Sequence, residues 1–395
     1  MKIALVGNMN NIHFAFMRYL RDLGFNAYLF LYKNELAHFY PEYDTWEYEK
    51  WEEFIFQMDL QNGIGLKNLS PLFYRPKKIR EVFGGFDIII AHGFFPVYAK
   101  KANLKVDFFL PYSLGIEFLC VPNENIKLYV LFSLMRRLQL SALNSHTKKI
   151  ITLDFTKENL KNFKYLRHEP TIMGLPMVYN QEVPDESKVH HLATWVNKLE
   201  VYELVVFSHV SHIWKNTPSD WLLNAKRNDL LIEGFAKYLN RTNQRSRSVL
   251  VFLDYGSDVD ESKKLIRSFG IDDNVIWLPQ MSRKEIMYLL DFVDIGGGEL
   301  GGCVWGGTGW EFMAKGVPFF QYVKLEQDEF KRKTGQQFPN ILNTDSPDKI
   351  ANYLLDFEIN RNKYQEMGQS LKSWFDQNAG IELVRRYTKM FQSAT

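Results

Sequence analysis

The chain has 395 residues, 46% of them hydrophobic and 24% charged, so it is long enough for two cores and its composition excludes low complexity and disorder. A formal net charge of only +2 lacks the one-sided basic field of a dedicated nucleic-acid binder. The two cysteines, Cys120 and Cys303, make neither a zinc set nor a disulfide framework, which points to a reducing cytoplasm.

The first residues, Met1-Lys2-Ile3-Ala4-Leu5-Val6-Gly7, form an apolar run too brief for a signal peptide or a membrane span, and read as a buried strand. Unalternating apolar runs at residues 3–6, 27–31 and 87–91 predict strands buried on both faces. Phe14, Met17 and Leu20 keep helical spacing up to Gly24, giving strand, loop, helix, C-cap, strand. Residues 32–78 show no clear period and read as loops and irregular helix. Residues 127–143 place Leu128, Leu131, Met135, Leu138 and Ala142 at helical spacing beside Arg136 and Arg137, with Lys148 and Lys149 following. Such a stripe is usually a core face; lipid contact is the alternative, and 15% aromatic residues suit either.

A strand at 149–153 and a helix from near Thr156 lead to a polar stretch at 180–198, read as the interdomain linker. A second series then repeats the rhythm: strands at 204–208, 249–253 and 274–278, helices at 228–240, 258–269 and 283–290, and residues 293–295 entering a glycine cluster. The expected fold class is α/β, with two doubly wound Rossmann-like domains facing across a cleft.

Eight glycines lie between Gly296 and Gly309, followed by a helical run that stops at Gly316-Val317-Pro318. Glycines let backbone approach a ligand, and a helix N-terminus favours a diphosphate, although the run lacks the Gly-Lys-Ser/Thr of a P-loop and also fits a mobile connection. Glu311 has two readings. Thr308-Gly309-Trp310-Glu311 fits a capping box, and a carboxylate one turn past a phosphate loop can accept ribose hydroxyls.

Here the sequence resembles the retaining GT-B glycosyltransferases of family 4. Gly306-Gly307-Thr308-Gly309-Trp310-Glu311-Phe312-Met313-Ala314-Lys315-Gly316-Val317-Pro318 looks like their Gly-rich stretch followed by Glu-Ala-Met-Ala-x-Gly-x-Pro. Asn274-Val275-Ile276-Trp277-Leu278-Pro279, with Glu285-Ile286 and Asp294, is similar to the base-binding strand and following helix. Lys226 with Asn228-Asp229 and Gly234-Phe235 looks like the lysine segment. Pro111-Tyr112-Ser113-Leu114-Gly115-Ile116-Glu117 resembles the His-Gly-x-Asp stretch, with Glu117 at the acidic position. Two departures stand out. The first of the family's two glutamates falls on Cys303, with Glu299 in an alternative slot upstream; and the usual arginine after the 204–208 strand is absent, with His209, His212 and Lys215 in its neighbourhood.

The resemblance implies transfer of a sugar from a UDP or GDP donor to an acceptor such as a glycan, with retention and without a metal, in polysaccharide or glycolipid synthesis; the aromatic excess and the basic, apolar 127–149 stretch add a lipid-linked acceptor and a cytoplasmic, peripheral place at the inner membrane face as expectations. It implies catalytic roles for His92, Glu299 and Lys226. On the donor side it places Gly7, His209, His212, Lys226, Pro279, Gly306, Gly307, Thr308, Gly309 and Glu311. Asn8, His92 and Glu117 fall on the acceptor side. Asp258-Val259-Asp260 sits at a helix start and is not read as a metal loop. The expected domains are 1–185 for the acceptor and 199–375 for the donor, with a helix at 376–395 packing back on the first. Two rival readings stand beside it: another GT-B enzyme, a nucleotide-sugar epimerase or a phosphorylase, which shares the Rossmann pair, and a non-catalytic partner subunit, favoured by the missing first glutamate and arginine.

Overall fold

A computed structural model describes residues 1–33, 35–61, 74–111, 126–152, 164–215, 225–302 and 305–392, without the side chains of 126–129, 131 and 132. The helix expected near Thr156 and the acidic position Glu117 lie outside the described residues. The chain divides into two compact units: Met1–Tyr179 with Lys331–Gln336 and Asn378–Thr395, and Asn180–Phe330 with Gln337–Gln377. The stretch read as a linker carries the short helices Glu186–Val189 and Ala193–Leu199.

In the first unit the strands are β1 (Lys2–Val6), β2 (Asn26–Leu31), β3 (Ile55–Gln57), β4 (Ile88–Ala91), β5 (Val106–Phe109), β6 (Thr147–Thr152) and β7 (Thr171–Ile172). They form one parallel sheet in the order β3-β2-β1-β4-β5-β6-β7. Helices cover both faces, which is why β1 and β4 are apolar throughout their interiors: Ile3, Leu5, Ile88 and Ile90 are fully buried. The helix Ile12–Asp22 ends where Gly24 takes φ +83° and the Phe25 N–H reaches back 2.9 Å to the Leu20 carbonyl, a glycine-closed C-terminus. The helix Ile381–Gln392 lays Tyr387 and Phe391 against Phe16 and Phe108, with ring centroids 5.0 and 5.2 Å apart, and the Tyr387 hydroxyl donates to the Gly174 carbonyl at 2.8 Å.

The described residues of the stretch 32–78, read as irregular, contribute single turns, the short edge strand β3 and the start of the helix Pro76–Phe83. The stripe in 127–143 belongs to the helix Ile126–His146, which buries Met135, Gln139, Ala142 and Leu143 and leaves Val130 and Leu134 exposed. Among the described residues no helix is long and apolar enough to cross a membrane.

In the second unit, β8 (Leu204–Ser208), β9 (Ser248–Leu253), β10 (Val275–Leu278), β11 (Ile295–Gly297), β12 (Phe319–Gln321) and β13 (Leu342–Asn343) form a parallel sheet in the order β10-β9-β8-β11-β12-β13. In both sheets the winding direction reverses once, between β1 and β4 and between β8 and β11. The crevice beyond the carboxyl ends of such a strand pair is where open α/β sheets bind ligands.

Candidate functional site

In the second unit that crevice holds a charged cluster. His209 directly follows β8, and Glu311 lies in the helix Gly307–Lys315, which follows β11 and its loop. The Glu311 carboxylate, buried with its side chain 7% exposed, accepts a 2.7 Å hydrogen bond from His209 Nε2 on one oxygen and one of 2.7 Å from Arg283 Nε on the other. Burial works against its charge, but the His209 hydrogen bond and the nearby Arg283 charge outweigh it and hold the carboxyl below the usual range. Beside this pair, Lys226 Nζ lies 2.7 Å from Glu299 Oε2. Main-chain bonds tie Lys226 to Ile213 and Leu300, and Glu299 to Gln321 and Tyr322, so both side chains leave fixed backbone. The Tyr255 hydroxyl donates to the His209 carbonyl at 2.8 Å, and burial, followed by the charges of Glu311 and Glu299, pushes the phenol well above its ordinary range.

The capping-box reading of Thr308 and Glu311 is not what the structure contains. The helix starts at Gly306 without a side-chain cap, Glu311 turns to His209 and Arg283, and the Thr308 hydroxyl is buried without a partner. The helix with a reciprocal box is Arg283–Leu289, where Ser282 and Glu285 cap one another.

Most of the glycines answer to packing. A Cβ on Gly297 would stand 2.4 Å from the Leu231 side chain, and one on Gly309 would stand 2.4 Å from the Trp305 Cβ. A Cβ on Gly306 would meet Glu299 Oε1 at 2.4 Å, which places this carboxylate against the helix N-terminus. Gly307 is different, with nothing within 4 Å of an added Cβ. Backbone open to a ligand is therefore concentrated at Gly307, where the helix begins.

His212 does not join the cluster. Its ring is fully buried between Phe252 and Trp277, its Nδ1 is 2.8 Å from Ser262 Oγ, and burial lowers its pKa to about 4, so it offers no cation to a phosphate. Pro279 follows β10 and is exposed, and Lys215 pairs with Glu261. Among the described residues no three His, Cys, Asp or Glu side chains group as a ligand set for a metal.

The reversal point of the first unit is built from neutral histidines and amides, with one carboxyl, Glu35, beside them. Gly7 ends β1 with φ +80°, and a Cβ there would stand 2.7 Å from the Tyr32 ring, so only glycine fits. Asn8 is fully buried and spent on structure: its Oδ1 accepts from the Phe14 N–H, and its Nδ2 donates to Asn11 Oδ1 and the Phe39 carbonyl. His92 follows β4, is fully buried, and stacks on His13 with ring centroids 3.4 Å apart at 16°. His13 Nδ1 lies 2.8 Å from the Gly7 carbonyl, an acceptor, so that nitrogen carries the proton and Nε2 is left as a bare acceptor. Neither ring nitrogen of His92 has a partner, nor does Gln139 Oε1, whose amide nitrogen donates to the Gly93 carbonyl. Burial drives the His13 pKa to about 3; burial and the His13 charge drive that of His92 well below its ordinary value. Glu35 accepts from the Asn8 and Tyr32 N–H groups, and burial raises its pKa to about 7.

The structure thus brings His209, Lys226, Glu299 and Glu311 together with Gly306, Gly307, Thr308 and Gly309, and separately sets Gly7 and Asn8 beside His92. Sequence reasoning missed Arg283, Tyr255, His13 and Glu35. The Ser282-Arg283-x-Glu285 start of a helix just past β10 was the available signal for the arginine, which had been sought after β8 instead. His13 lies between Ile12 and Phe14 on a buried helix and gives no signal beyond an ordinary core histidine.

No family model and no curated protein matches the sequence. Solved structures do. HepE of Anabaena in complex with UDP superposes with a TM-score of 0.60 at 15% identity, covering 100% of both chains. WaaG, a glycosyltransferase involved in lipopolysaccharide biosynthesis, gives 0.54 at 11% identity over 98% of this chain and 99% of its own. A putative UDP-N-acetylglucosamine 2-epimerase from Listeria monocytogenes gives 0.52 at 14% identity over 100% and 96%. At these identities the likeness establishes the fold: two Rossmann-like units with parallel sheets, as in the GT-B glycosyltransferases.

Proposed function

We propose that the chain is a glycosyltransferase that moves a sugar from a UDP or GDP donor to a glycan or lipid-linked acceptor. The observation that carries this reading is the ionised Glu311 held between His209 and Arg283 at the reversal point of the second sheet. Glu311 accepts the ribose hydroxyls. Lys226 and the helix N-terminus at Gly307 hold the diphosphate, where fixed donors stabilise the leaving group without reorganising. Glu299, already paired with Lys226, faces the sugar. The neutral first-unit groups around His92 take the acceptor, and transfer proceeds with retention and without a metal. HepE, solved with UDP and with UDP and glucose, supports UDP as the first donor to try. WaaG supports a place in surface-polysaccharide or glycolipid synthesis. The exposed Val130 and Leu134, one turn apart and followed by exposed Arg137, suit a peripheral contact with the membrane's cytoplasmic face.

Calorimetry with UDP, GDP and their sugars, with and without a chelator, tests the donor site. The expected result is micromolar binding that survives chelation and weakens by about 1.5 to 3 kcal/mol in Glu311→Gln, the loss of a charged hydrogen-bond acceptor. An absence of binding to every nucleotide overturns the reading and favours a partner subunit. The likeness to the epimerase supports a second reading, decided by whether the nucleotide sugar alone is epimerised or an added acceptor is glycosylated. Failure to bind anionic liposomes at low salt overturns the membrane contact.

A further inference from the structure

We propose that Arg283 is a positioning residue for nucleotide binding, holding the Glu311 carboxylate in the one orientation that selects ribose over a deoxy sugar. This rests on the nucleotide-sugar reading of the second unit. A carboxylate has about four acceptor directions. In Glu311 each oxygen receives one protein donor, from His209 on one side and Arg283 on the other. That leaves each oxygen one direction for a hydroxyl, which matches the paired 2′ and 3′ hydroxyls of a ribose.

The arginine is delivered rigidly. It is the first residue of the helix Arg283–Leu289, whose start is fixed by Ser282 donating from its N–H and hydroxyl to Glu285 Oε2 at 2.7 and 2.6 Å. Its side chain is 16% exposed and meets Glu311 through Nε, the edge of the guanidinium. A lysine carries the charge but lacks that planar edge, so it restores ionisation of Glu311 without restoring its orientation. Without Arg283 only His209 holds the carboxylate, which is then free to rotate about its last bond.

The experiment compares UDP with 2′,3′-dideoxy-UDP, and GDP with 2′,3′-dideoxy-GDP, by calorimetry on the wild type, Arg283→Gln, Arg283→Lys, Glu311→Gln and the double Gln variant, each checked for its folded circular-dichroism spectrum. The wild type is expected to prefer the ribonucleotide by about ten-fold or more. That preference falls toward unity in both single Gln variants, the double variant is no less selective than either, and Arg283→Lys regains affinity but not selectivity. If Arg283→Gln weakens both ribo- and dideoxynucleotide equally, the arginine touches phosphate and the proposal fails. An undiminished ribose preference in a folded Arg283→Gln also overturns it, as a structural ion pair. Should the wild type bind no nucleotide, the parent reading fails first, and this proposal with it.

Discussion

The two sheets reverse direction in the same way, yet the side chains placed at the two reversal points differ in kind. Beyond β8 and β11, buried carboxylates meet their partners at 2.7 Å: Glu311 the Arg283 guanidinium and the His209 ring, Glu299 the Lys226 ammonium. Beyond β1 and β4, the histidines and amides are neutral, Glu35 is the one carboxyl bonded to Asn8, and several atoms are unsatisfied: His13 Nε2, both nitrogens of His92 and Gln139 Oε1. A buried polar atom without a partner costs about 1 to 3 kcal/mol, and both crevices carry that cost, the second at Ser208 Oγ, His209 Nδ1 and Thr308 Oγ1. Paired charges suit a ligand that is itself charged; unpartnered acceptors, with one N–H on the neutral His92 ring, suit one that brings hydroxyls, which both donate and accept. The same topology has been given two recognition chemistries.

The largest effect that can test this contrast is loss of the paired carboxylate. Glu311→Ala leaves His209 and Arg283 facing each other without their shared anion, and removing one partner of a buried pair costs about 3 to 5 kcal/mol. Denaturant unfolding should show that loss. A cost under about 1 kcal/mol would mean that water reaches the cluster and that the two crevices differ less than their burial suggests.

Glu35 gives the next largest effect, and it carries a sign. Its pKa rises from 4.5 to about 7 on folding, so between those values the folded chain holds the proton that the unfolded chain has released. Its contribution is fully present below about pH 4.5 and is lost as pH rises through about 7, at a slope approaching 1.4 kcal/mol per unit. His13, with its pKa lowered to about 3, works in the opposite sense and loses stability as pH falls from 6.5. Glu35→Gln keeps an acceptor for the Asn8 and Tyr32 N–H groups, so it should be near neutral at pH 4 and stabilising at pH 8. Parallel unfolding profiles for wild type and variant would show that the carboxyl is solvated.

The glycine loop offers a paired test. Gly309→Ala forces a Cβ to 2.4 Å from the Trp305 Cβ and should cost about 1 to 3 kcal/mol of stability, with any change in nucleotide binding following from that strain. Gly307→Ala meets nothing within 4 Å, so its stability should be unchanged while nucleotide binding weakens. If Gly307→Ala binds as well as the wild type, the ligand does not come to that backbone.

The strands β1, β2, β4, β8 and β9 were legible because burial on both faces writes an uninterrupted apolar run, and β10, half-buried over Val275–Trp277, because its four residues are nonetheless all apolar. The strands β3, β7 and β13, two or three residues long, carry no such pattern and exist through their neighbours. Strand β11 was foreseen only to Ile295, because Gly296 and Gly297 look like loop; they are strand glycines that let the helix Gly307–Lys315 and Leu231 pack onto the sheet. At the candidate site, the glutamate, lysine and first histidine could be read from motif and spacing. Arg283 was marked only by the Ser282-Arg283-x-Glu285 helix start, and its role was not legible, since that comes from a carboxylate 28 positions away. Nor was the burial of His92 on His13, which joins two helix and strand ends far apart in sequence.

The smallest expected change in stability comes from that histidine pair. His92→Phe keeps an aromatic ring on His13 and removes two buried nitrogens that have no partner, so the lost polarity offsets the cost of a slightly larger ring. Unfolding free energy should stay within about 1 kcal/mol of wild type, since apolar replacement of unpaired polar groups is close to neutral. Nucleotide binding in the second unit should not change, because its cluster is untouched. Transfer to acceptor should fall, as the only donor that the ring pair can offer a hydroxyl from this position is lost with it. A stable variant that binds nucleotide and still transfers at the wild-type rate would show that the unsatisfied nitrogens serve no acceptor; a variant that loses several kcal/mol would show that the nitrogens are solvated in the folded protein, and the contrast between the two crevices would then rest on the second unit alone.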